Sequence, residues 1–397
     1  NRLNKSNMHT LEIIFWILAA IIFYIYIGYG IVLFVLIKIK RLFIRKTIST
    51  LSEDSLPEIT LLVAAYNEQD YVQKKVENSR SLVYPTGKLH MIWVTDGSSD
   101  QTPDLLRQYG DVEVLHRPER AGKIAAMNRA IHFVKTPIVV FSDANTMLGK
   151  DSMMKIAQMF ADPGVGCVSG EKRIFNAEEE AASAAGEGLY WKYESALKRW
   201  DAELFSAVGA AGELFAIRTN LFNEVEPDTL LDDFIISLRV AMQGYKIDYD
   251  PDAYAIETAS ANVKEELKRK IRIAAGGIQS VVRLYPLLNI FRYGLLSFQY
   301  ISHRVLRWTI TPLCLLAILI VNAVLATQSG LFLFILALQV LFYIFALIGW
   351  MLEDRKLKVK IFFIPYYFII MNYAVYMGFA RYLKKSQSVN WERAKRA

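Results

Sequence analysis

The sequence is poor in cysteine. Only Cys167 and Cys314 occur among its 397 residues, and two thiols form no disulfide framework, so we expect structural thiols in a reducing compartment. Zinc-finger spacings and the aromatic motifs of RNA-binding domains are missing from the sequence as well. Internal repeats and low-complexity tracts are not found either. Nucleic acid is therefore not an expected partner. The class of protein is inferred instead from the distribution of hydrophobic and charged residues.

The apolar residues are concentrated in two regions, residues 11–37 and residues 308–380, and ionisable residues are nearly missing from the predicted spans within them. The whole chain is 53% hydrophobic, which is high for a soluble protein. The first region is too long for a signal-peptide core and lacks a small-residue cleavage site, so we predict a membrane span there. In the second region we predict three spans, at 308–325, 331–350 and 361–380. The last of these either crosses or re-enters the membrane, and the scarcity of charge makes a transporter the least favoured class.

The formal net charge of +7 is concentrated beside these apolar regions, at residues 38–46 and 381–396. Such a location favours the phosphates of membrane lipids as the partner of the basic residues. Because basic residues directly after a span stay on the cytoplasmic side, the middle of the chain is predicted to lie in the cytoplasm. We therefore expect an integral membrane protein, of the bacterial inner membrane, with a cytoplasmic domain.

Predicted strands and helices alternate in the first half of this middle domain. The predicted strands are 59–65, 89–95, 112–115 and 138–142, and the predicted helices between them are 70–81, 102–109 and 124–134. This alternation indicates a parallel sheet with right-handed crossovers. The half from 165 to 250 is less regular, and its predicted helices are 178–200 and 234–243, the second with Asp232 as N-cap. A basic helix at 264–273 and a helix lying in the membrane interface at 284–300 follow.

Four acidic residues mark the ends of these elements: Glu68, Asp96, Asp143 and Asp233. The first three follow predicted strands, and ligands of parallel sheets bind beyond the carboxyl ends of the strands. Asp143 is placed to bind a hard divalent cation, which would bring phosphates with it. Asp96 could accept from a uracil or ribose group, and Lys123 at a helix start could approach a diphosphate. The alternatives are a turn cap for Asp143, a plain turn at Asp96 and a solvated Lys123.

Taken in order, these motifs resemble the family 2 glycosyltransferases, which are inverting enzymes that use nucleotide sugars and have the GT-A fold. The matching stretches are AAYNE at 64–68, TDGSSD at 95–100, GK at 122–123, SDAN at 142–145 and LDD at 231–233. The flanking membrane segments resemble those of the cellulose, chitin, hyaluronan and poly-N-acetylglucosamine synthases. The resemblance implies an α/β GT-A domain inserted between transmembrane helices. The expected parts are an N-terminal span in 1–46, the catalytic domain in 47–263, interfacial helices in 264–307, and spans with a basic tail in 308–397.

The resemblance also implies a role for each matching residue. Donor binding is assigned to Ala65, Tyr66, Glu68, Asp96, Lys123, Asp143, Arg269 and Arg272. Asp143 and Asn145 would hold Mg²⁺ or Mn²⁺. Asn145 stands where the family has a second aspartate, so one negative charge is lost and the expected metal affinity is lower.

Asp233 matches the aspartate that acts as general base in the family. A single base and one in-line displacement predict inversion without a covalent sugar–enzyme intermediate. The start of a helix stabilises an anion, so we expect Asp233 to be ionised at neutral pH while Asp232 caps the helix. The predicted acceptor site consists of Gly209, Gly212, Glu213 and Asp232.

The polymer synthases carry a Gln/Arg-x-x-Arg-Trp motif after the base, and two stretches compete for this match. Residues 269–273 have the right distance and an Ala/Gly sequel, but Ile273 replaces the tryptophan, which leaves processivity open. Residues 304–308 match the letters but lie far along the chain. We assign the motif to 269–273, with Arg269 and Arg272 stabilising the departing diphosphate, and interpret 304–308 as an anchor in the membrane interface.

The sequence therefore predicts a membrane-bound inverting glycosyltransferase that transfers a sugar from UDP-glucose or UDP-N-acetylglucosamine to a growing β-linked polysaccharide. One alternative is the transfer of a single sugar to a lipid or lipid-linked acceptor. A second is a non-catalytic membrane scaffold or nucleotide-sugar-binding subunit, which Asn145 and Ile273 would favour. Expected partners besides donor, acceptor and membrane lipids are a second copy of the chain or a polysaccharide-export protein.

Overall fold

The computed structural model describes residues 5–43, 50–175, 186–258, 263–354 and 359–385. Predictions for Arg45, Lys46, the first part of the 178–200 helix and most of the basic tail fall outside the described residues. The strands are β1 Ile59–Ala65, β2 Leu89–Asp96, β3 Val112–Arg117, β4 Ile138–Asp143, β5 Met147–Leu148, β6 Val165–Phe175, β7 Leu214–Arg218 and β8 Lys246–Thr258.

The helices alternate with these strands and then continue alone to the end of the described chain. They are α1 Lys5–Phe23, α2 Tyr29–Phe43, α3 Gln69–Arg80, α4 Thr102–Leu106, α5 Lys123–Ile131, α6 Ser152–Met159, α7 Gly186–Leu204, α8 Asp232–Met242, α9 Val263–Arg283, α10 Ile290–Tyr293, α11 Leu295–Tyr300, α12 Leu306–Trp308, α13 Ile310–Ala326, α14 Gly330–Asp354 and α15 Lys360–Leu383. Two π-helical turns, Tyr24–Gly28 and Ile301–Val305, join α1 to α2 and α11 to α12.

The eight strands form one sheet in the order β3-β2-β1-β4-β7-β6-β8-β5. The pairs β1–β2, β2–β3 and β1–β4 are parallel, which confirms the predicted doubly wound half. All seven residues of β1 are buried, because alternate side chains face two different cores. Leu62 and Ala64 belong to the core beneath α5 and α8. Leu61 and Val63 belong to the core beneath α3 and α6.

The less regular half contains three strands that the sequence patterns do not predict. β7 runs antiparallel to both β4 and β6, and β6 pairs with β8 in parallel, with register shifts along the pair. β6 and β8 contain glycine, proline and charged residues, which are depleted in strands. Pairing between distant segments outweighs those local preferences here.

The described chain has three helices that are long and apolar enough to cross a membrane, or four if one bent pair counts as a span. The three are 6–43, 330–353 and 360–383, and the pair is 295–308 with 310–326, bent by 52°. They match the predicted spans, although the 308–325 segment begins its helix at Ile310 and qualifies only as part of the bent pair. α15 continues through Pro365 without a break, as crossing requires. The protein is therefore membrane-associated.

The second half of the long N-terminal helix packs on α7 of the middle domain. Its 38 residues reach roughly 57 Å at 1.5 Å per residue, well beyond the ~30 Å hydrocarbon core of a bilayer. Tyr29 and Leu33 pack against Leu197 of α7. Lys40 donates to two carbonyls at the end of α7, and Arg41 binds Glu203 through two hydrogen bonds. These two basic residues thus contact protein instead of the expected lipid phosphates.

Residues 284–308 differ from the prediction in two respects. The expected single helix at 284–300 is broken into a 3₁₀ turn, α10 and α11, and Leu287 and Tyr300 are buried in the catalytic core. The interpretation of 304–308 as an anchor in the membrane interface is wrong. Arg304 and Arg307 approach the buried Glu194, and Trp308 packs on Phe234.

Candidate active site

The carboxyl ends of β1, β2 and β4 meet at one edge of the sheet, as the sequence predicts. Ala64 is opposite Asp143 in the β1–β4 register, and Ala65 is opposite Thr95 in the β1–β2 register. Asp96 ends β2 and Asp143 ends β4. This alignment exists because parallel strands in register must end together.

The turns after β1 and β2 bind each other through the polar residues of the two motifs. Asn67, with a φ of 53°, accepts from the Ser99 N–H at 2.8 Å and donates to the Ser99 hydroxyl. The Glu68 N–H donates to the hydroxyl of Thr102 at 2.9 Å. A large part of both motifs therefore has a structural role in shaping the edge of the sheet.

A shallow cleft opens beside these turns. Its lining residues are Ala64, Ala65, Tyr66, Val94, Asp96, Arg120, Gly122, Lys123 and Ala126. The guanidinium of Arg120 lies 3.8 Å from the centre of the Tyr66 ring, so an aromatic face and a cation form one wall. A second depression, which shares Ala64 and Lys123 with the first, reaches Asp143 and Gly212.

Asp96 holds the loop that leads into α5. Its Oδ2 accepts from the N–H groups of Ala121 at 2.9 Å and Gly122 at 2.6 Å. Gly122 has a φ of 96°, a conformation that glycine adopts readily and other residues rarely do. Asp96 therefore orients the first turn of α5, where Lys123 begins the helix.

Lys123 connects the edge of the sheet to the start of α8. Its Nζ lies 2.9 Å from Oδ1 of Asp143 and 3.1 Å from Oδ2 of Asp232. Burial alone would lower the pKa of Lys123, but the two carboxylates outweigh it and raise the pKa. The two carboxylates therefore stabilise the positive charge of Lys123.

Asp143 and Asn145 offer oxygen atoms that suit a divalent cation. Asn145 Oδ1 is buried without a hydrogen-bond partner, which is costly for a polar atom unless something binds it. Burial raises the pKa of Asp143, while Lys123 opposes the rise. Among the described residues, no three His, Cys, Asp or Glu side chains form a metal site. Two protein oxygens still fit Mg²⁺, which usually takes one or two carboxylates and completes its shell with phosphates and water.

A buried lysine supports the turn between Asp143 and Asn145. Lys75 of α3 is fully buried and donates to the Ser142 hydroxyl at 2.8 Å and the Thr146 carbonyl at 2.7 Å. Burial lowers the pKa of Lys75 to about 7, against the attraction of Asp143. The sequence analysis missed this residue. Its signal was a lysine in line with Val72, Val76 and Ser79 on the buried face of α3.

Asp233 lies in the first turn of α8 beside the small-residue bend at 209–213. A side chain at Gly212 would approach Asp233 Oδ2 at 3.1 Å, and one at Gly209 would collide with the ring of Phe234. Burial, and next Asp232, raise the pKa of Asp233 to about 7. The expectation that the helix start keeps Asp233 fully ionised at neutral pH is therefore wrong.

The predicted cap is also wrong. α8 begins at Asp232, and Leu231 occupies the cap position without a side-chain hydrogen bond. Asp232 points to Lys123 instead. The sequence of two adjacent aspartates does not reveal which of them caps the helix and which binds a lysine more than 100 residues away in the chain.

Glu213 belongs to a buried group of alternating charges. Lys172 of β6 contacts both Glu213 and Glu257. Burial alone would raise the pKa of Glu213, but Lys172 and then Arg269 outweigh it and lower the pKa to about 2. Arg269 donates to Glu266, one turn earlier in α9, at 3.1 and 3.2 Å. Sequence reasoning missed Lys172 and Glu257, because no local motif connects them to Glu213.

The predicted site residues therefore fall into three groups. Ala65, Tyr66, Asp96 and Lys123 line the cleft, and Asp143 adjoins it. Gly212 and Asp233 are in contact near the same lysine. Glu68 is 3% exposed and is not one of the described residues that line the cleft. Arg272 lies one turn after Arg269 on α9, and its role stays a prediction.

An α/β sheet with a cleft at its strand ends, a metal-compatible turn and buried carboxylates fits the class of nucleotide-dependent transferases. The profile of the family described as Glycosyltransferase like family 2 matches residues 57–276, more than half of the chain. The chain belongs to this family and is a glycosyltransferase, so the non-catalytic alternative is not supported.

The chain is similar to curated enzymes of two kinds. It is 29% identical over 216 residues to a beta-monoglucosyldiacylglycerol synthase of Trichormus variabilis, covering 49% of this chain and 44% of that protein. It is 29% identical over 241 residues to a poly-beta-1,6-N-acetyl-D-glucosamine synthase of Staphylococcus aureus, covering 58% of this chain and 57% of that protein. The chain thus spans about half the length of the curated relatives it matches.

A solved structure shares the fold over nearly the whole chain. The mannosyltransferase PcManGT from Pyrobaculum calidifontis, in complex with GDP-Man and Mn²⁺, superimposes with a TM-score of 0.71 at 21% identity and covers 95% of this chain and 100% of its own. The similarity confirms the predicted GT-A fold with apolar helices around it.

Proposed function

We propose that this protein is a membrane-bound inverting glycosyltransferase that uses a UDP-sugar, UDP-glucose or UDP-N-acetylglucosamine, and extends a β-linked polysaccharide from the cytoplasmic face of the membrane. The observation that carries the proposal is the position of Lys123, within 3.1 Å of both Asp143 and Asp232. It joins the donor edge of the sheet to the helix that carries the base. The donor and the base therefore share one site.

In this proposal the cleft binds the uridine of the donor. Tyr66 and Arg120 offer a stacking face and a cation. Asp96, whose Oδ2 holds the loop, would bind the base or ribose. Asp143 and Asn145 would hold Mg²⁺ or Mn²⁺, which supplies charge neutralisation for the diphosphate. Lys123 moves from its carboxylate partners toward the same diphosphate, and Arg269 and Arg272 approach it from α9.

Asp233 is the proposed general base. Its carboxylate takes the proton of the acceptor hydroxyl as that oxygen attacks the anomeric carbon, and the bond to the UDP oxygen breaks on the opposite face. One displacement inverts the anomeric configuration. A pKa of about 7 suits a base that works near neutral pH, since general catalysis is most efficient when pKa and pH are close.

The acceptor is proposed to reach Asp233 from the membrane side, past Gly209, Gly212 and Glu213. Phe234 follows the base directly and packs edge-on against Trp308 at 5.4 Å between ring centres. Trp308 lies two residues before α13. A glycan emerging at the membrane surface and a lipid head group would both reach this point.

A lipid acceptor that receives one sugar is the second candidate. It is favoured by Ile273, which replaces the tryptophan of the polymer synthases, and by similarity to a relative named as a glucosyldiacylglycerol synthase. If the product is a polysaccharide, a second copy of the chain or an export protein is the proposed partner of this enzyme.

Product analysis with purified enzyme tests the proposal. The enzyme in lipid nanodiscs receives radiolabelled UDP-glucose or UDP-N-acetylglucosamine with Mn²⁺, and the products are separated by size and extracted into organic solvent. We expect a ladder of water-soluble β-linked oligomers. A single labelled product confined to the organic phase would assign the lipid acceptor instead. Release of UDP without inversion at the anomeric carbon would contradict the mechanism.

A further inference from the structure

The N-terminal membrane helix is connected to the catalytic domain by more than apolar packing. Its π-helical turn at Tyr24–Gly28 lies beside the second π-helical turn, Ile301–Val305, and the hydroxyls of Tyr24 and Ser302 are 2.8 Å apart. π-Helical turns occur often at functional sites. Here two of them meet where a membrane helix touches the segment that leads to Trp308.

Asp201 of α7 is the centre of a buried polar network at this place. Its side chain is fully buried and receives hydrogen bonds from the Tyr29 hydroxyl and from Gln299 Nε2. His303 Nδ1 lies 2.6 Å from its other oxygen. Three elements, α2, α7 and the 295–305 segment, thus meet at one carboxylate.

The network continues through the imidazole to a second acid. His303 Nε2 is 3.4 Å from Glu194 of α7, and Glu194 contacts Arg307 and Arg304. Burial alone would raise the pKa of Glu194, but Arg307, His303 and Arg304 outweigh it and hold the pKa well below its usual range. Removing one partner from a buried group of charges destabilises the fold strongly. The side chains of this network are therefore expected to keep their relative positions.

Arg307 immediately precedes Trp308, which is clamped on two sides. A Cβ at Gly277 would come within 2.6 Å of the indole, and the ring of Phe234 packs on its other side. Phe234 is the neighbour of Asp233 in α8. A continuous set of contacts therefore leads from Tyr29 through Asp201, His303, Glu194 and Arg307 to the residue beside the base.

We propose that this network is a positioning unit through which the N-terminal membrane helix fixes Trp308 and Phe234, and with them the base of the transfer reaction. The inference rests on the proposed role of Asp233. Tyr29 and His303 are positioning residues, since neither touches the cleft. The unit would hold the carboxylate of Asp233 at a fixed position relative to an acceptor hydroxyl at the membrane surface.

A double-mutant cycle between Tyr29→Phe and Trp308→Phe tests the proposal. The full-length enzyme in nanodiscs is assayed for kcat and for donor KM with each single variant and with the double variant. We expect each single variant to lower kcat without changing donor KM, and the double variant to lose at least about threefold less than the product of the single losses, because both act on one unit. A merely structural role for Tyr29 would change thermal stability and leave the two kinetic effects independent.

Trp16→Phe is the matched control, because Trp16 lies on the same helix, eight residues before Tyr24, and its ring packs on Phe15 and on Phe332 of α14. Its effect on kcat is expected to be less than about twofold and to multiply with that of Trp308→Phe. His303→Gln, tested against Trp308→Phe, gives an independent measure of the same coupling. Independent effects for both Tyr29 and His303, or equal coupling for Trp16, would overturn the proposal. Full turnover in Asp233→Asn would instead contradict the proposed base, and the cycle would still be interpretable.

Discussion

The two halves of the active site are built from different kinds of interaction. On the donor side, Glu68, Asp96 and Asp143 end or follow strands, and several contacts join residues 20 to 34 positions apart in the chain, as in Lys123–Asp143 and Glu68–Thr102. Lys123 also reaches the distant Asp232 of α8. On the acceptor side, Lys172 contacts Glu213 and Glu257, which are 41 and 85 residues away. Local motifs thus contribute much of the proposed nucleotide site, whereas the surroundings of the proposed base depend on charge pairs between distant residues.

This difference indicates which half is free to change. A donor site built on strand ends keeps its geometry as long as the sheet folds. The acceptor side depends on a buried set of charges and on helices that also pack in the membrane region, so changes there alter the acceptor and the environment of the base together.

The largest expected effect is on turnover in Asp233→Asn. Losing the general base should lower kcat by about 10²–10⁴-fold, while donor affinity, measured by calorimetry with UDP and Mn²⁺, stays nearly constant because the donor half is intact. Asp232→Asn is the matched control on the adjacent residue. It should reduce kcat far less, since it removes a partner of Lys123 and leaves the base. Equal losses in both variants would contradict the division of roles.

Breaking the buried charges of the acceptor side should destabilise the fold. Lys172→Met leaves Glu213 and Glu257 without their shared cation, which should cost about 3–5 kcal/mol and appear as a lower midpoint of thermal unfolding. Arg173→Ala, at the exposed neighbouring position, should change stability by less than about 0.5 kcal/mol. An unchanged midpoint of thermal unfolding in Lys172→Met would show that the contacts of Lys172 with Glu213 and Glu257 contribute little to stability.

The pH dependence of kcat/KM should report the base. Because the pKa of Asp233 is raised to about 7, the carboxylate is increasingly protonated below that pH and cannot accept a proton. Activity should therefore rise about tenfold per pH unit up to roughly pH 7 and level off above it. Asp232 raises this pKa, so Asp232→Asn should move the midpoint to lower pH. A midpoint that stays in place would argue against their coupling.

The smallest expected effect concerns the metal. Asn145→Asp restores a negative charge near Asp143 and should tighten Mn²⁺ binding several-fold, as measured by titration in the presence of UDP, because ligand charge raises the affinity for hard cations. Asn145→Ala removes the oxygen and should weaken binding. Similar affinities in all three proteins would place the ion away from residue 145.

The sequence was sufficient to predict the donor half, because strands buried on both faces have continuous apolar runs and their ends carry the motif acids. Asp96, Lys123 and Asp143 are close together as expected. The strands β6 and β8 could not be predicted, since their charged and small residues are favourable only when paired. The pKa of Asp233 was misjudged because burial and the Asp232 charge depend on packing, and Trp308 was misplaced because a basic aromatic stretch before a span also occurs at membrane interfaces.

The most direct test of the account is a structure of the enzyme with UDP, Mn²⁺ and a non-transferable sugar analogue, with the metal located by anomalous scattering. We predict a metal peak about 2.1 Å from oxygens of Asp143 and Asn145, the diphosphate beside Lys123, and the Asp233 carboxylate facing the anomeric carbon on the side opposite UDP. A metal bound elsewhere, or Asp233 separated from the sugar by a wall of protein, would contradict the claim that donor and base share one site.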